Sequence, residues 1–320
     1  MIQKYEICPT MRVYHSLDEV PQISNLVLTQ GTFDGVHLGH EKVLRHVVKT
    51  AKEAGGESML LTFYPHPRLV LYPNDNNLRL LSSIDEKADL VASTGIDHML
   101  VLQFTDQIAK LSPLEFVRNI LFQKLAVKTM VVGYDHRFGR NREGDFTQLQ
   151  EMSEMFGFQV AEIHASEIED IAISSTRIRK ALLSGNLAQA NALLGRNYRF
   201  SGVVIHGRKL GRTLGFPTAN IGMRDPYKLV PGGGVYAVRV HIHGKTYNGA
   251  ANIGWNPTIN DKGFSIEVHI LNFSDDIYNE EIELEMVQFL RYEEKFENIE
   301  ALTTQIKKDV SAAEAVLSSM

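Results

Sequence analysis

Cysteine is almost missing from this chain. Cys8 is the single thiol in 320 residues, so no internal disulfide can form, and the count suits a reducing compartment. Cys8 itself reads as a passive residue near the N-terminus. Also missing is any uninterrupted apolar run approaching the ~18 residues of a membrane span. The opening MIQKYEICPT lacks the basic start and apolar block of a secretory signal. The cytoplasm is therefore the expected location. Excess positive charge is absent too: 33 Lys and Arg stand against 38 Asp and Glu, for a net charge of -5. That balance gives no bulk attraction to nucleic acid or to an anionic membrane, and neither is expected as a partner. Phosphate could be held only by local clusters of basic side chains and backbone N–H groups. No internal repeat or low-complexity segment occurs, and nothing in the sequence speaks to oligomeric state.

What is present is ordinary for a globular protein, with 44% hydrophobic and 22% charged residues. At roughly 100–200 residues per domain the length suggests two domains, taken as 1–184 and 185–320. The first alternates strands and helices. Apolar runs at 25–30, 58–63, 98–104, 126–133 and 158–163 read as buried strands. Val43, Leu44, Val47, Val48 and Ala51 recur at helical spacing until Gly55 and Gly56. Ser112-Pro-Leu-Glu115 is a capping box with proline at the first helical position. Strands separated by helices imply βαβ crossovers and a mostly parallel, Rossmann-like sheet. Ligands in such sheets bind beyond the carboxyl ends of the strands, which here carry the loops 31–40, 64–68 and 133–145. Two short helices follow, near 175–185 and 186–195. From Tyr198 the pattern becomes short alternating strands at 199–206, 234–242, 245–253, 264–272 and 281–289, broken by glycine-rich turns. That predicts a small antiparallel barrel. Residues 299–317 form an amphipathic helix with Leu302, Ile306, Val310, Ala313 and Val316 on one stripe.

The densest run in the first half is GTFDGVHLGH, from Gly31 to His40. It leaves a strand and opens a helix, whose N-terminus offers free N–H groups and a positive dipole end. His37 and His40 share a face on a helical first turn. Two imidazoles there can donate to phosphate oxygens as charge develops, and Gly39 leaves the backbone open. Two solvent-facing histidines after a turn is the bland alternative. A metal site lacks a third ligand at a familiar spacing. In YPHPR, from Tyr64, two prolines hold the loop extended and fix His66 near the sheet edge. In VGYDHRFG, ending at Gly139, glycines and arginines beyond a parallel strand suit a phosphate or ring-stacking partner; Asp145 beyond it reads as a helix cap. In ISSTRIR, from Ile173, hydroxyls and arginines fit a loop closing over a triphosphate, or else Ser175 caps a helix and Arg177 and Arg179 are solvated.

In the second half Gly207, Gly211 and Gly215 are spaced four apart within GRKLGRTLGFPTAN. Glycine lets backbone N–H groups turn toward an anion. The spacing is wrong for a P-loop. Thr218 and Asn220 project to one face of an extended segment. Their oxygens suit Mg²⁺, though a turn residue and a cap is the alternative. Glu267 and His269 share the polar face of a strand whose other face is Ile266, Val268 and Ile270. A carboxylate there can take a hydroxyl proton during phosphoryl transfer, or be only a solvated strand exterior.

Residues 13–182 resemble the nucleotidyltransferase domain of prokaryotic FAD synthetases, through GTFDGVHLGH, the YPHP loop, VGYDHRFG and ISSTRIR. That resemblance implies ATP or phosphate binding by Gly31, Phe33, Asp34, Gly39, Ser174, Ser175, Thr176, Arg177 and Arg179. It implies catalysis by His37 and His40, and flavin binding by Pro65, His66, Asp135 and Phe138. His136 departs from the usual phenylalanine. Residues 186–312 resemble riboflavin kinases, through GRKLGRTLGFPTAN, GVYAV, NIGWNPTI, IEVHIL and FLRYEEKF. This implies a six-stranded barrel with a terminal helix, binding ATP·Mg²⁺ and riboflavin. Glu267 would be the base, Thr218 and Asn220 the metal and phosphate ligands. Gly207, Gly211, Gly215, Phe216, Pro217 and Arg291 would bind ATP or flavin, with Arg291 on a mobile covering loop. Asn272, Ile259 and Asn279 depart from the usual residues. Together the halves imply phosphorylation of riboflavin to FMN, then adenylylation of FMN to FAD. A pantetheine-phosphate or nicotinamide-mononucleotide adenylyltransferase has no need of GRTLGFPTAN. A flavin carrier has no need to keep Glu267, Thr218 and both histidines.

Overall fold

The computed structural model describes residues 11–74, 78–133, 137–163, 174–207, 210–255 and 264–319. The chain forms two compact units. One comprises Met1–Leu78 and Ser82–Ile173, the other Arg79–Leu81 and Ser174–Met320. The division thus falls ahead of the expected one, and 79–81 and 174–184 pack with the second unit.

The first unit holds six strands: β1 (Arg12–Tyr14), β2 (Val27–Gln30), β3 (Ser58–Tyr64), β4 (His98–Gln103), β5 (Thr129–Gly133) and β6 (Gln159–Ile163). They lie in the order β1-β4-β3-β2-β5-β6, parallel throughout. The five predicted strands are all there. β1 was not predicted, because three residues carry no readable period. Successive side chains along a strand point to opposite faces, so Leu28, Met59 and Met130 join one core and Val27, Leu60 and Val131 the other. The helix Leu38–Glu53 covers the second face with Leu44, Val47 and Ala51. The first is covered by Phe116 of Pro113–Phe116 and by Val117, Ile120 and Leu121 of the π-helical continuation Val117–Lys124. Burial on both sides explains why these strands read as unbroken apolar runs.

From β2 the chain steps outward to β3 and β4, then returns to β5 on β2's other flank. β2 is therefore the switch point, where open α/β sheets bind their ligands. The β2–β3 ladder runs to Gln30↔Leu61, but the β2–β5 ladder stops at Leu28↔Met130. The pairing of β2 with β5 thus ends short of their carboxyl ends, beside the loop that follows β2.

The second unit is a closed barrel of β7 (Tyr198–Ile205), β8 (Ala219–Gly222), β9 (Gly234–Ile242), β10 (Lys245–Trp255), β11 (Phe264–Ile270) and β12 (Glu281–Arg291). The order around it is β10-β11-β8-β7-β12-β9, antiparallel. Closure leaves no strand edge to aggregate. The sequence showed five of these strands. The missing one, β8, has four residues and closes the barrel by pairing β11 with β7. The helix Ile299–Ser318 lays Ala313 and Leu317 on Ala237, Ala250 and Val287.

On the barrel wall, Glu285 faces Arg199 of β7 and Arg239 of β9 in register. It is 5% exposed. Its carboxylate accepts from Asn197 Nδ2 and Arg199, both at 2.7 Å, and lies 3.0 Å from His241 Nε2. Burial pushes the carboxyl up, but the bonds from Asn197 and His241 and the Arg199 charge outweigh it, so the group sits below its ordinary 4.5. A depressed carboxyl contributes stability that is full above the ordinary value and lost as pH falls through the folded one. Glu285→Ala should cost roughly 3 kcal/mol at neutral pH, the low end for breaking a buried charge cluster. Urea unfolding should show that gap narrowing in acid; an equal gap at both pH values would mean the loss is one of packing.

Candidate active sites

The run 31–40 leaves β2 at the switch point and enters the helix Leu38–Glu53. His37 is the N-cap, with extended backbone, and its Nδ1 accepts from the His40 N–H at 3.3 Å. That bond leaves the proton of a neutral His37 ring on Nε2. The rings of His37 and His40 stack, centroids 3.6 Å apart and 14° from parallel. The predicted pairing is present, but it comes from a cap and a third helical residue rather than from two positions on one helical face. The first-turn N–H groups of Leu38 and Gly39 lie outside any helical hydrogen bond. Gln30 Oε1 is buried at the end of β2 without a hydrogen-bond partner among the described residues.

The same run has a buried underside. Phe33 and Asp34 are 6% and 3% exposed. Phe33 packs against His40 at 4.8 Å and fills the space where Gly31 would carry a Cβ. Asp34 Oδ1 accepts from Ser82 N at 3.2 Å, and Gly35 N donates to Ser82 Oγ at 3.1 Å. Both side chains shape the loop from below.

The YPHP segment is not extended. Tyr64–Pro65 is cis, and His66 caps a short helix, Pro67–Leu71, by accepting from Arg68 N at 3.1 Å. Pro67 sits where a missing N–H costs nothing. Phe138 is 2% exposed, bridged to Gly144 and packed toward Phe116 at 6.2 Å. It offers no open ring face for stacking. Asp135 and His136 lie outside the described residues. Asp145 does cap the next helix, accepting from Gln148 N. Ser174, rather than Ser175, caps the helix Ser175–Leu183, accepting from Arg177 N at 3.2 Å. Thr176 and Arg177 are exposed. Arg179 Nε donates to Arg79 O at 2.6 Å. Ser174, Ser175, Thr176, Arg177 and Arg179 belong to the second unit.

In the barrel, the antiparallel ladder sets Glu267 of β11 opposite Asn220 of β8. Thr218 Oγ1 donates to Glu267 Oε2 at 3.3 Å. His269 shares the Glu267 face as expected, and its Nδ1 lies 2.8 Å from the Pro217 carbonyl, which can only accept. Phe216 meets His269 edge-on at 5.6 Å. So the extended stretch 216–220 is fastened to β11 beside the carboxylate. An open cleft adjoins it, lined by Arg212, Pro217, Thr218, Phe273, Asp276 and Tyr278.

Gly207 and Gly211 also serve this packing. A Cβ on Gly207 would lie 2.1 Å from Asn220 Nδ2, and one on Gly211 2.3 Å from the Phe216 carbonyl. Only Gly215, at φ 86°, needs glycine's backbone freedom. Gly211 lies within a helical turn, Leu210–Thr213, and its carbonyl accepts from Phe216 N at 2.8 Å. Gly207→Ala should therefore displace Asn220 and lower activity at this site about tenfold, as loss of a supporting contact does at metal sites. Steady-state kinetics with unchanged thermal unfolding would show it; full activity would mean that Asn220 need not hold its position.

Arg291 ends β12 instead of lying on a loop. Its guanidinium is bidentate to Asp309 of the terminal helix, at 2.8 and 2.7 Å, and Gln305 adds a bond to the same carboxylate. Asp309 and Lys87 are the buried charged residues near these sites that sequence reasoning missed. Asp309 falls on the apolar face of its helix, three residues after Ile306 and four before Ala313, where a lone acid is read past, and a lysine on a helix reads as exposed.

A FAD synthetase family model matches residues 20–177 and a riboflavin kinase model residues 194–317. The bifunctional riboflavin kinase/FMN adenylyltransferase of Listeria monocytogenes is 42% identical over 94% of this chain and 95% of its own. The protein of the same description from Pseudomonas fluorescens is 39% identical over 92% and 94%. A crystal structure from Streptococcus pneumoniae, described as a macrolide-efflux protein, superposes with a TM-score of 0.85 at 30% identity, covering 95% of this chain and 99% of that one. Among the described residues of this chain, no helix is long and apolar enough to cross a membrane.

Proposed function

The chain belongs to the family of bifunctional riboflavin kinase/FMN adenylyltransferases, and on that premise we propose how its two units divide the work. The family's two transferase activities are phosphorylation of riboflavin to FMN and adenylylation of FMN to FAD, in a domain order that runs adenylyltransferase first. The observation that carries the division is the convergence of Thr218, Asn220 and Glu267 on one barrel wall, remote in sequence from the stacked histidines at the switch point of the parallel sheet.

In the barrel, Glu267 accepts the proton of riboflavin's terminal ribityl hydroxyl as that oxygen attacks the γ-phosphorus of ATP and ADP leaves. Thr218, already bonded to this carboxylate, and Asn220 would hold Mg²⁺ and the phosphates. Among the described residues no group of three or more His, Cys, Asp or Glu could hold a metal ion. The hydroxyl and amide oxygens still fit Mg²⁺, which takes hard oxygens and fills its shell with water and substrate phosphates. When bound, the ion would neutralise charge on the transferring phosphoryl group. The resemblance adds Phe216, Pro217 and Arg291 as substrate contacts.

At the switch point, a phosphate oxygen of FMN attacks the α-phosphorus of ATP and pyrophosphate leaves. The helix N-terminus receives the phosphates, and His37 Nε2–H and the His40 ring stabilise the charge that builds there. Pro65, His66, Asp135 and Phe138 are assigned to flavin, and Ser174, Ser175, Thr176, Arg177 and Arg179 to ATP, by sequence resemblance alone. A cytoplasmic location suits a chain that makes soluble cofactors from soluble substrates.

Product analysis tests the whole reading. Riboflavin, ATP and Mg²⁺ should give FMN and then FAD, while FMN and ATP should give FAD directly. Absence of both products would favour a flavin carrier that keeps the pockets without the chemistry.

A further inference from the structure

Burying an ammonium is costly unless something compensates it, yet Lys87 is 5% exposed. It lies on the helix Ile84–Ala92, outside every motif discussed above. That helix has its own start signal, a complete capping box between Ser83 and Glu86, and does not need the charge. The Lys87 Nζ donates to the Thr32 carbonyl at 2.7 Å and lies 3.5 Å from the Thr62 hydroxyl on β3. The facing charged group is Asp34, itself buried.

Thr32 is where the loop at the switch point turns. The next residues include Phe33 at φ 43°, Gly35 at 79° and Val36 at 36°. Positive φ is uncommon for a non-glycine residue and an outlier for a β-branched one. Such backbone persists only when its surroundings hold it. The contacts that hold it include Lys87 and the Thr62 hydroxyl, both donating to the Thr32 carbonyl, and Ser82 on Asp34 and Gly35. At the end of this turn stand His37 and the first N–H groups of the helix.

We propose that Lys87 is a positioning residue for adenylyl transfer, its buried ammonium fixing Thr32 and Asp34 so that the turn presents His37 and the helix N-terminus to the phosphates of ATP. The proposal rests on the reading of 31–40 as the nucleotide site. It makes the site dependent on a charge that neither substrate touches. Burial pulls this ammonium down to about 8, with the Asp34 carboxylate opposing the shift. The anchor is therefore charged below that pH and neutral above it, within the range an assay can cover.

The test uses the full chain and follows FAD formation from FMN and ATP on both sides of pH 8, with riboflavin phosphorylation measured alongside. Lys87→Met should lower kcat/KM for ATP roughly 10- to 100-fold, the scale of a slightly misplaced reacting group, and should lack the wild-type decline above pH 8. Lys87→Arg should restore part of the activity and abolish the decline, because a guanidinium does not lose its proton. Riboflavin phosphorylation should be unchanged in both. Wild-type rates and pH profile in Lys87→Met would overturn the proposal, provided His40→Ala is impaired in the same assay. If His40→Ala is also unimpaired, the reading of the site fails instead. Impairment in Lys87→Met that keeps the alkaline decline and is not relieved by arginine would reduce Lys87 to packing. Should Lys87→Met not fold, the arginine variant decides: a decline identical to wild type rejects the role.

Discussion

Glu267→Gln should reduce riboflavin phosphorylation by roughly 10²–10⁴, the usual worth of a general base, and leave adenylylation of supplied FMN intact. The substitution keeps the shape of the side chain. A glutamine oxygen can still accept from Thr218, as Glu267 Oε2 now does at 3.3 Å. The backbone ladder to Asn220 and Asn252 does not involve the side chain. What disappears is the ability to hold a proton. The loss should therefore fall on kcat, with KM for riboflavin and ATP little changed, as for a group that acts in the transition state. Separate assays for FMN and FAD on one preparation make the comparison internal. Equal loss of both products would contradict two independent sites. Loss confined to KM would make Glu267 a binding residue.

Much of this was legible in the sequence because the physics was local. Buried parallel strands read as apolar runs, and the capping box at Ser112, Asp145 and the glycine stops marked helix ends that the structure keeps. What escaped notice depends on contacts remote along the chain. β1 and β8 are too short to show a period and exist because β4, β7 and β11 offer them a ladder. Gly207 and Gly211 were read as openings for an anion; that their missing Cβ atoms make room for Asn220 and the Phe216 carbonyl could not be read from spacing. The histidine motif was found, yet its geometry was not, since nothing in the spacing says that His37 caps and His40 stacks. Phe33, Asp34 and Phe138 drew attention as part of family motifs. All three are buried, as is His37, and Phe33 and Asp34 shape the loop through their contacts with His40 and Ser82.

His40→Ala should lower FAD formation by about 10²–10³, the scale of one lost donor to developing charge, while riboflavin phosphorylation continues. Alanine is the best helix former and preserves the His40 N–H, so the cap from His37 Nδ1 survives and the helix Leu38–Glu53 should keep its stability. Only the ring is lost, and with it the face on which His37 stacks at 3.6 Å. Two effects then combine: a donor disappears, and the remaining imidazole gains freedom that must be lost again when charge develops on the phosphates. His40→Gln separates them, because an amide can donate without reproducing the stacked surface. Partial recovery by glutamine would assign most of the effect to the donor. Equal impairment of both variants would assign it to the ordering of His37. Unchanged FAD formation in His40→Ala would show the role given to His40 to be wrong and overturn the reading of 31–40 as the nucleotide site.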